Sequence, residues 1–329
     1  MSAVVQAAGL TRRFREVTAV DQVDLALEAG RIHGLLGRNG AGKTTLMQLL
    51  TGQDVPTSGQ ARLFGEDPYE NPDVLARTCF VAEGQAYPDA YRVCHVLAAA
   101  RLLHPGWDDA FADQLLAEYE LPLGRRVRKL SRGMRSALGV VVGLASRAEL
   151  TFFDEPYLGL DAVARQTFYD RLLADFAEHP RTVVLSTHLI DEVAELLEHV
   201  VVVDHGRVLV DEDADELRAG AIVVSGPAAV VKDVVNGRRV LHCEQLAGLA
   251  RVTVRTRAAD DVRAQARRAG LTVEPLSLQQ LVVRTTQAGG CPQPAGSELT
   301  GPPTAKPTTQ PTTQQTNQLV DQPSTEVLR

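Results

Sequence analysis

Short apolar runs alternate with amphipathic stretches along the first two-thirds of the chain. The apolar runs cover residues 31–36, 150–153, 182–186 and 200–204. Runs of this length, separated by helical segments, are typical of buried parallel strands connected by helices. The sequence therefore predicts an α/β fold with a parallel sheet wrapped by helices over residues 1–213.

Helical periodicity dominates between the first and second apolar runs. The two clearest segments are residues 107–119 and 134–145, and prolines interrupt the pattern at positions 88, 105 and 122. Since proline ends or kinks a helix, several short helices are expected here. This region is predicted to form a helical subdomain.

A different order follows residue 220. Strand-like segments at 221–225, 239–243, 250–256 and 271–274 alternate with helical segments at 228–235 and 258–269. The order βαββαβ is that of a ferredoxin-like module, so residues 221–286 are predicted to form a small α+β accessory domain.

From residue 287 to 329 the chain is rich in Thr, Gln and Pro. Seven of its 17 prolines lie in this stretch, and large apolar side chains are almost absent before Leu319. Such a composition buries too little surface to offset the entropy of ordering, so a disordered tail is predicted.

Length and composition narrow the class of protein. At about 150 residues per domain, 329 residues correspond to roughly two domains. The sequence lacks both an apolar stretch of about 20 residues and a basic N-terminal leader, so a cytoplasmic location is expected. The net charge of −7 argues against nucleic acid as a main partner. Cys79, Cys94, Cys243 and Cys291 show no C-x-x-C spacing, so neither a disulfide framework nor a zinc site is indicated.

The first apolar run leads directly into a glycine-rich loop and then an apolar helix. The loop reads Gly37-Arg38-Asn39-Gly40-Ala41-Gly42-Lys43-Thr44-Thr45. This is the pattern G-x-x-x-x-G-K-T in its strand-loop-helix setting, in which backbone N–H groups surround phosphate oxygens. Lys43 is expected to reach the β- and γ-phosphates of a nucleotide, and Thr44 to bind Mg²⁺ through its hydroxyl. The predicted cofactors are ATP and Mg²⁺.

A second acidic element ends the run at 150–153. Asp154 and Glu155 follow this strand directly. Phosphoryl transfer depends on a metal and on an oriented water molecule. Asp154 is predicted to lie on the metal side and Glu155 to polarise the attacking water.

Four motifs in this order resemble the ATP-binding subunit of an ABC transporter. They are the loop at 37–45, Leu130-Ser131-Arg132-Gly133-Met134, Asp154-Glu155-Pro156 with Gly159-Leu160-Asp161, and Ser186-Thr187-His188. The resemblance covers residues 1–213 and implies a P-loop NTPase with a RecA-like parallel core, an N-terminal antiparallel β part and a helical subdomain.

The resemblance also implies roles for single residues. Phe14 would stack on adenine with Val20 beside it, and His188 would contact the γ-phosphate. Ser131 and Gly133 would face the γ-phosphate of a second copy across a nucleotide-sandwich dimer. Asp161 resembles the aspartate at that dimer interface.

Three positions depart from the family pattern. Arg132 stands where the usual Leu-Ser-Gly-Gly-Gln motif has its second glycine, and Met134 replaces its glutamine. Alignment by spacing places Glu83, rather than Gln85, at the glutamine that approaches magnesium. Glu83 is therefore a third candidate metal ligand, besides Thr44 and Asp154.

Two other features have simpler interpretations. A basic cluster comprises Arg125, Arg126, Arg128, Lys129, Arg132 and Arg135. It lacks interleaved aromatic residues, which favours a solvated face over a nucleic-acid site. Trp107 is interpreted as a packing residue at the start of a helix.

The resemblance implies an ATPase that energises a separately encoded membrane permease, to which it would bind through residues 83–105 at the cytoplasmic face of the membrane. It is similar to subunits of export-type systems. Two alternatives differ in class. One is a non-transport ATPase acting on ribosomes or DNA, and the other is a regulatory nucleotide-binding subunit with little hydrolysis, which the departures at Arg132, Met134 and Glu83 would suit.

Overall fold

The computed structural model describes residues 3–256 and 259–287. The strands, in chain order, are β1 Ala3–Phe14, β2 Val17–Glu28, β3 Ile32–Leu36, β4 Ser58–Leu63, β5 Thr78–Val81, β6 Leu150–Asp154, β7 Thr182–Thr187, β8 His199–Asp204, β9 Arg207–Asp213, β10 Ala221–Pro227, β11 Arg239–Leu246, β12 Leu249–Arg255 and β13 Thr272–Pro275. The helices are α1 Lys43–Leu50, α2 Pro72–Ala76, α3 Val93–Leu103, α4 Asp109–Glu118, α5 Arg132–Ala145, α6 Ala162–Glu178, α7 Ile190–Val193, α8 Ala214–Ala219, α9 Ala228–Val235, α10 Ala259–Arg268 and α11 Leu278–Gln287.

The central sheet has the order β5-β6-β7-β3-β8-β9. Its first five strands are parallel, as predicted, but β9 is antiparallel to β8. An antiparallel strand at this edge was not predicted. His205 and Gly206, the two residues between β8 and β9, both have left-handed backbones. A two-residue loop of this type forms a tight hairpin, which can join only antiparallel strands.

Helix α1 lies between the central sheet and a second, antiparallel sheet with the order β2-β1-β4. Its apolar side chains, Leu46, Met47, Leu49 and Leu50, are buried. They share one apolar cluster with residues of β1 and β2 and with Phe152 of β6. The loop that precedes α1 is thereby fixed between two sheets.

The segment between β5 and β6 is largely helical, as predicted. Helix α5 packs against the central sheet, and Gly143 permits its close approach. A Cβ at this position would lie 2.4 Å from a ring carbon of Phe153. Trp107 donates a hydrogen bond to Asp109 Oδ1 over 2.9 Å and packs against the core, beside the start of α4.

Residues 221–275 form a third sheet with the order β13-β10-β12-β11, antiparallel throughout. This is the ferredoxin-like strand order, so the predicted topology is confirmed. Helices α9 and α10 share an apolar cluster with β10 and β12. Helix α11 was not predicted. Its buried Leu278, Leu281 and Val282 belong to the same apolar cluster as Val193 of α7.

Other expectations fare differently. The domain boundaries at residues 213 and 221 stay predictions, and the predicted tail lies outside the described residues, apart from Gln287, the last residue of α11.

Among the described cysteines, Cys79 is buried, which raises the pKa of its thiol to about 11. All residues of the basic cluster are exposed. In the described part of the chain, no helix has the length and hydrophobicity that crossing a membrane requires.

A buried imidazole in β3 links stability to pH. His33 Nε2 contacts Glu28 O at 2.8 Å, and its ring lies edge-on to that of His199 with centroids 5.1 Å apart. Burial, and to a lesser extent the neighbouring His199, lowers the pKa of His33 to about 4. The folded chain therefore holds this ring neutral over a pH range in which an unfolded histidine, with a pKa of about 6.5, takes up a proton.

We expect this difference to lower the free energy of unfolding as the pH falls from about 6.5 to 4. The unfolded state binds more protons in that window, and the shift corresponds to about 3 kcal/mol. Urea unfolding at a series of pH values should show a smaller acid-induced loss for His33→Gln than for the parent chain. Identical losses in the two proteins would contradict this assignment.

Candidate functional site

The glycine-rich loop joins β3 to α1 at the carboxyl edge of the central sheet. Gly42 has a φ of 104°, and a Cβ there would lie 2.3 Å from the carbonyl oxygen of Ala19. No side chain caps α1, and its first turn contains no acidic residue. The first N–H groups of the helix thus have no side-chain acceptor, which is the arrangement that binds anions.

Lys43 lies at the base of this loop. Its side chain is only 6% exposed, and its ammonium donates a hydrogen bond to Gly37 O over 2.9 Å. The same ammonium lies 3.5 Å from Glu155 Oε1. The lysine therefore connects the loop to the end of β6 and carries a positive charge at the position where the phosphates are expected.

Asp154 is the last residue of β6 and is fully buried. Its Oδ1 accepts a hydrogen bond from Ser186 Oγ over 2.6 Å, whereas its Oδ2 has no hydrogen-bond partner in the protein. Buried carboxylate oxygens are rarely left without a partner. One oxygen is thus oriented by β7, and the other is available to a cation.

Glu155 has a strained backbone with a φ of 47°. Left-handed conformations of residues other than glycine are uncommon and occur at functional sites. The strain is offset in part by a hydrogen bond from the Glu155 N–H to Ser186 Oγ over 3.2 Å. The side chain is buried, and its Oε1 accepts no hydrogen bond.

His188 follows β7 and faces Glu155. Its Nδ1 lies 2.8 Å from Glu155 Oε2, and its backbone N–H donates to the hydroxyl of Tyr157 over 3.1 Å. Because Nδ1 is engaged by the carboxylate, Nε2 is the ring nitrogen left for a ligand. The carboxylate and the imidazole therefore form one unit at the rim of the site.

These elements surround a cavity of about 490 Å³. It is lined by Ala19, Asn39, Gly40, Ala41, Gly42, Lys43, Thr44, Thr45, Glu83, Arg132, Glu155, Leu158 and His188. The volume is within the range of about 300–1,000 Å³ that is usual for small-molecule sites. Most of the residues selected from the sequence for nucleotide binding therefore meet at one place.

The predicted nucleotide contacts that do not line this cavity are Phe14, Val20, Gly37, Arg38, Ser131 and Gly133. Phe14 is half-exposed at the end of β1, with the guanidinium of Arg12 4.6 Å from the centre of its ring. Val20 is buried in the apolar cluster of the N-terminal sheet. Ala19, which sequence reasoning missed, lines the cavity instead. Stacking of Phe14 on adenine stays a prediction.

Two of the three positions that depart from the family pattern, Arg132 and Glu83, contact each other. Arg132 Nη2 lies 3.7 Å from Glu83 Oε1, and both residues line the cavity. Gln85 turns away, since its side-chain oxygen accepts a hydrogen bond from the N–H of Ala82 over 3.0 Å. Of the two candidates for the glutamine position, Glu83 is the one at the cavity.

Ser131 and Gly133 lie at the start of α5 and do not line the cavity of their own chain. Ser131 caps the helix, accepting a hydrogen bond from the N–H of Met134 over 3.1 Å. A Cβ on Gly133 would lie 2.6 Å from the carbonyl oxygen of Gly159. Asp161 caps α6 by accepting from the N–H of Ala164 over 2.9 Å.

The residues present fit a nucleotide with Mg²⁺. Within the described residues, no group of three or more His, Cys, Asp or Glu side chains is arranged to hold a metal by itself. Mg²⁺ needs no such group, because it binds through one or two carboxylates together with phosphate oxygens and water. The unpartnered Asp154 Oδ2 and the hydroxyl of Thr44 supply hard oxygen donors of the required kind.

Comparison with known proteins decides the family. The family model described as ABC transporter matches residues 20–158. The bacitracin transport ATP-binding protein BcrA of Bacillus licheniformis is 31% identical over 222 residues, which make up 66% of this chain and 72% of BcrA. The chain belongs to the ABC transporter family. Like other ATP-binding proteins of that family, it is an ATPase and binds nucleotide.

Other similarities agree with this assignment. The daunorubicin/doxorubicin resistance ATP-binding protein DrrA of Streptomyces peucetius is 32% identical over 221 residues, 65% of this chain and 67% of DrrA. A solved structure titled "Structure of ATP binding subunit of ABC transporter" superposes with a TM-score of 0.59 at 22% identity, over 65% of this chain and 92% of that one. The latter shows that this ABC ATPase has the P-loop fold predicted from its sequence.

The close contact between α5 and the loop after β6 gives a stability prediction. Gly133→Ala should lower the free energy of unfolding by about 1–3 kcal/mol, because its Cβ would have to displace the backbone at Gly159. Gly124→Ala is the matched control, since the nearest atom to its Cβ would lie 3.9 Å away. Urea unfolding should show little change for the control. Equal stability of both variants would show that α5 tolerates a side chain at this contact.

Proposed function

We propose that two copies of this ABC ATPase bind two ATP molecules between them and hydrolyse them to drive a separately encoded membrane permease. The observation that carries this proposal is that Lys43, Glu155 and His188 line one cavity, with Asp154 buried directly before Glu155 at the end of β6.

The loop would bind the triphosphate. Phosphate oxygens would accept hydrogen bonds from the N–H groups that begin α1, while the ammonium of Lys43 would neutralise charge on the β- and γ-phosphates. The Lys43 ammonium already has an anionic neighbour, Glu155, at 3.5 Å. Binding of the triphosphate would thus supply a second anionic partner for Lys43.

Thr44 and Asp154 would hold Mg²⁺, with Glu83 as a third candidate ligand. The metal would neutralise the charge on the phosphate oxygens. Asp154 Oδ1 accepts a hydrogen bond from Ser186, so Oδ2 is the oxygen left for the cation. Glu83 pairs with Arg132 and would have to leave that ion pair to approach the metal.

Glu155 would act on the attacking water. Its Oε1 has no hydrogen-bond partner and would accept a proton as the water oxygen bonds to the γ-phosphorus. The bond from that phosphorus to the β–γ bridging oxygen breaks, which yields ADP and inorganic phosphate. His188 would hold the γ-phosphate through Nε2, because Nδ1 is bound to Glu155.

The partner copy would complete each site. Helix α5 is 14 residues long, and its N-terminus carries a partial positive charge suited to a phosphate. Ser131 is exposed and Gly133 is partly exposed, and neither lines the cavity of its own chain. Their proposed contact with ATP therefore requires a second chain, and Asp161 would lie near that interface.

The transport part of the proposal rests on the relatives. One is named for daunorubicin and doxorubicin resistance, another for bacitracin transport, and a third, from Cupriavidus metallidurans, for Nod factor export. These names favour an export-type system. The permease would hold this chain at the cytoplasmic face of the membrane.

One observation favours a second candidate, a regulatory subunit that binds nucleotide but turns it over slowly. Arg132 and Glu83, the two departures that pair with each other, occupy the wall of the cavity. In such a pair the Arg132 guanidinium would compete with the metal for the Glu83 carboxylate. The Glu83 carboxylate would in turn compete with the γ-phosphate for the Arg132 guanidinium. The two functions differ in the rate of ATP hydrolysis.

Turnover measurements separate them. We expect Glu155→Gln to bind ATP like the parent and to lower kcat by about 100-fold or more, because the amide cannot accept the proton. Glu149→Gln is the matched control, since Glu149 is an exposed residue that directly precedes β6, at the opposite end of that strand, where it pairs with Arg77. This control should retain the parental rate. Equal, near-zero rates in the parent and Glu155→Gln would favour the regulatory subunit and contradict the proposal.

A further inference from the structure

The proposed mechanism leaves one buried hydroxyl at the site without a role. Tyr157 lies three residues after the end of β6 and is only 1% exposed. Its hydroxyl contacts the Glu155 carboxylate at Oε2, Thr187 Oγ1 at 2.7 Å and the His188 N–H at 3.1 Å. It therefore touches both Glu155, which is proposed to activate water, and His188, which is proposed to hold the γ-phosphate.

The direction of each hydrogen bond follows from the donors available. A phenol has one proton to donate, and its oxygen can accept. An ionised carboxylate only accepts, so the phenol proton must lie on the Glu155 side. The oxygen of Tyr157 then accepts from the His188 N–H and from the Thr187 hydroxyl, which itself accepts from the N–H of Leu189 over 2.9 Å. Each N–H and O–H donor of this network thus has an acceptor.

The phenol keeps its proton at neutral pH. Burial, followed by the contact with the Glu155 carboxylate, raises the pKa of Tyr157 far above its ordinary value. The hydroxyl is therefore a fixed neutral donor. It adds no charge to a site that already contains Lys43 and two carboxylates.

The two oxygens of Glu155 are thereby made unequal. Oε2 receives the phenol and the His188 ring, whereas Oε1 accepts no hydrogen bond and lies 3.5 Å from Lys43 Nζ. The side chain cannot rotate to exchange its oxygens without breaking both contacts. Oε1 is thus the oxygen presented to the water molecule.

We propose that Tyr157 is a positioning residue for ATP hydrolysis, whose hydroxyl fixes the Glu155 carboxylate and ties it to His188. This proposal rests on the proposed function, in which Glu155 accepts the proton of the attacking water. The alternative is that Tyr157 is only a core aromatic residue, since its ring is part of the large apolar cluster of the central sheet. Phenylalanine keeps the ring and lacks the hydroxyl, so it separates the two roles.

The test is the steady-state ATPase kinetics of Tyr157→Phe. We expect kcat to fall about 10- to 100-fold with KM for ATP within about twofold of the parent, because a misplaced base slows the chemical step without weakening phosphate binding. Tyr119→Phe is the matched control. Its partly buried phenol donates to Ala164 O over 3.4 Å, away from the cavity, and the variant should keep parental kinetics.

A double-variant comparison with His188→Ala tests whether the hydroxyl acts through the Glu155–His188 pair. If it does, the kcat loss of Tyr157→Phe with His188→Ala will be smaller than the product of the two single losses. Multiplicative losses would overturn the proposal. So would a parental kcat in Tyr157→Phe, or a raised KM with unchanged kcat.

Two further variants complete the design. If Tyr157→Phe gives no folded protein, Thr187→Val replaces it, because this variant removes a donor to the phenol oxygen and should lower kcat at unchanged KM. A parental kcat in Thr187→Val would then overturn the proposal. Glu155→Gln distinguishes a failure of the proposed function from a failure of the positioning role of Tyr157. If it retains parental turnover, the proposed function fails, whereas loss of turnover in Glu155→Gln with parental Tyr157→Phe rejects the positioning role alone.

Discussion

A buried ammonium and a buried carboxylate lie 3.5 Å apart where the glycine-rich loop meets the end of β6. Removing either charge from water is costly, so the two buried groups stabilise each other. The pair fixes the distance between the group that would bind phosphate and the group that would activate water. A bound triphosphate would give Lys43 a new anionic partner and leave Glu155 Oε1 for water. Binding of the triphosphate would thus change the charged partners of Lys43 and Glu155.

The order of strands explains why these residues meet. Strand β7 lies between β6 and β3, and the three are parallel. Their carboxyl ends therefore share one edge of the sheet, which is where α/β proteins bind ligands. Register adds precision, because Asp154 lies directly opposite Ser186, whose hydroxyl orients its carboxylate. Glu155 and His188, which follow β6 and β7, thus reach the same cavity as the loop after β3.

Sequence reasoning found the groups whose role depends on local order. The loop before α1, the acidic pair after β6 and the histidine after β7 each follow an apolar run, and the run predicts their position. The strand order of the ferredoxin-like sheet could be predicted for the same reason, since its six elements alternate clearly.

The remainder depends on contacts between distant segments. Tyr157 reads as a core aromatic residue, and only the folded chain brings its hydroxyl to His188, 31 positions away. The pairing of Arg132 with Glu83, 49 positions apart, is equally invisible in the sequence. Helix α11 was missed because it directly precedes the Thr- and Gln-rich segment, whose composition obscured its periodicity. The antiparallel edge strand β9 was missed because its direction depends on the left-handed backbones of His205 and Gly206, which the pattern of apolar runs does not contain.

The central claim is that the Lys43 ammonium holds the phosphates of ATP. Calorimetric titration with ATP and Mg²⁺ tests it on the parent chain, on Lys43→Met, which keeps the buried stem, and on Lys129→Met, an exposed lysine of the basic cluster. We expect the affinity for ATP to fall about 100-fold or more in Lys43→Met and to be unchanged in Lys129→Met. Parental affinity in a folded Lys43→Met chain would contradict it.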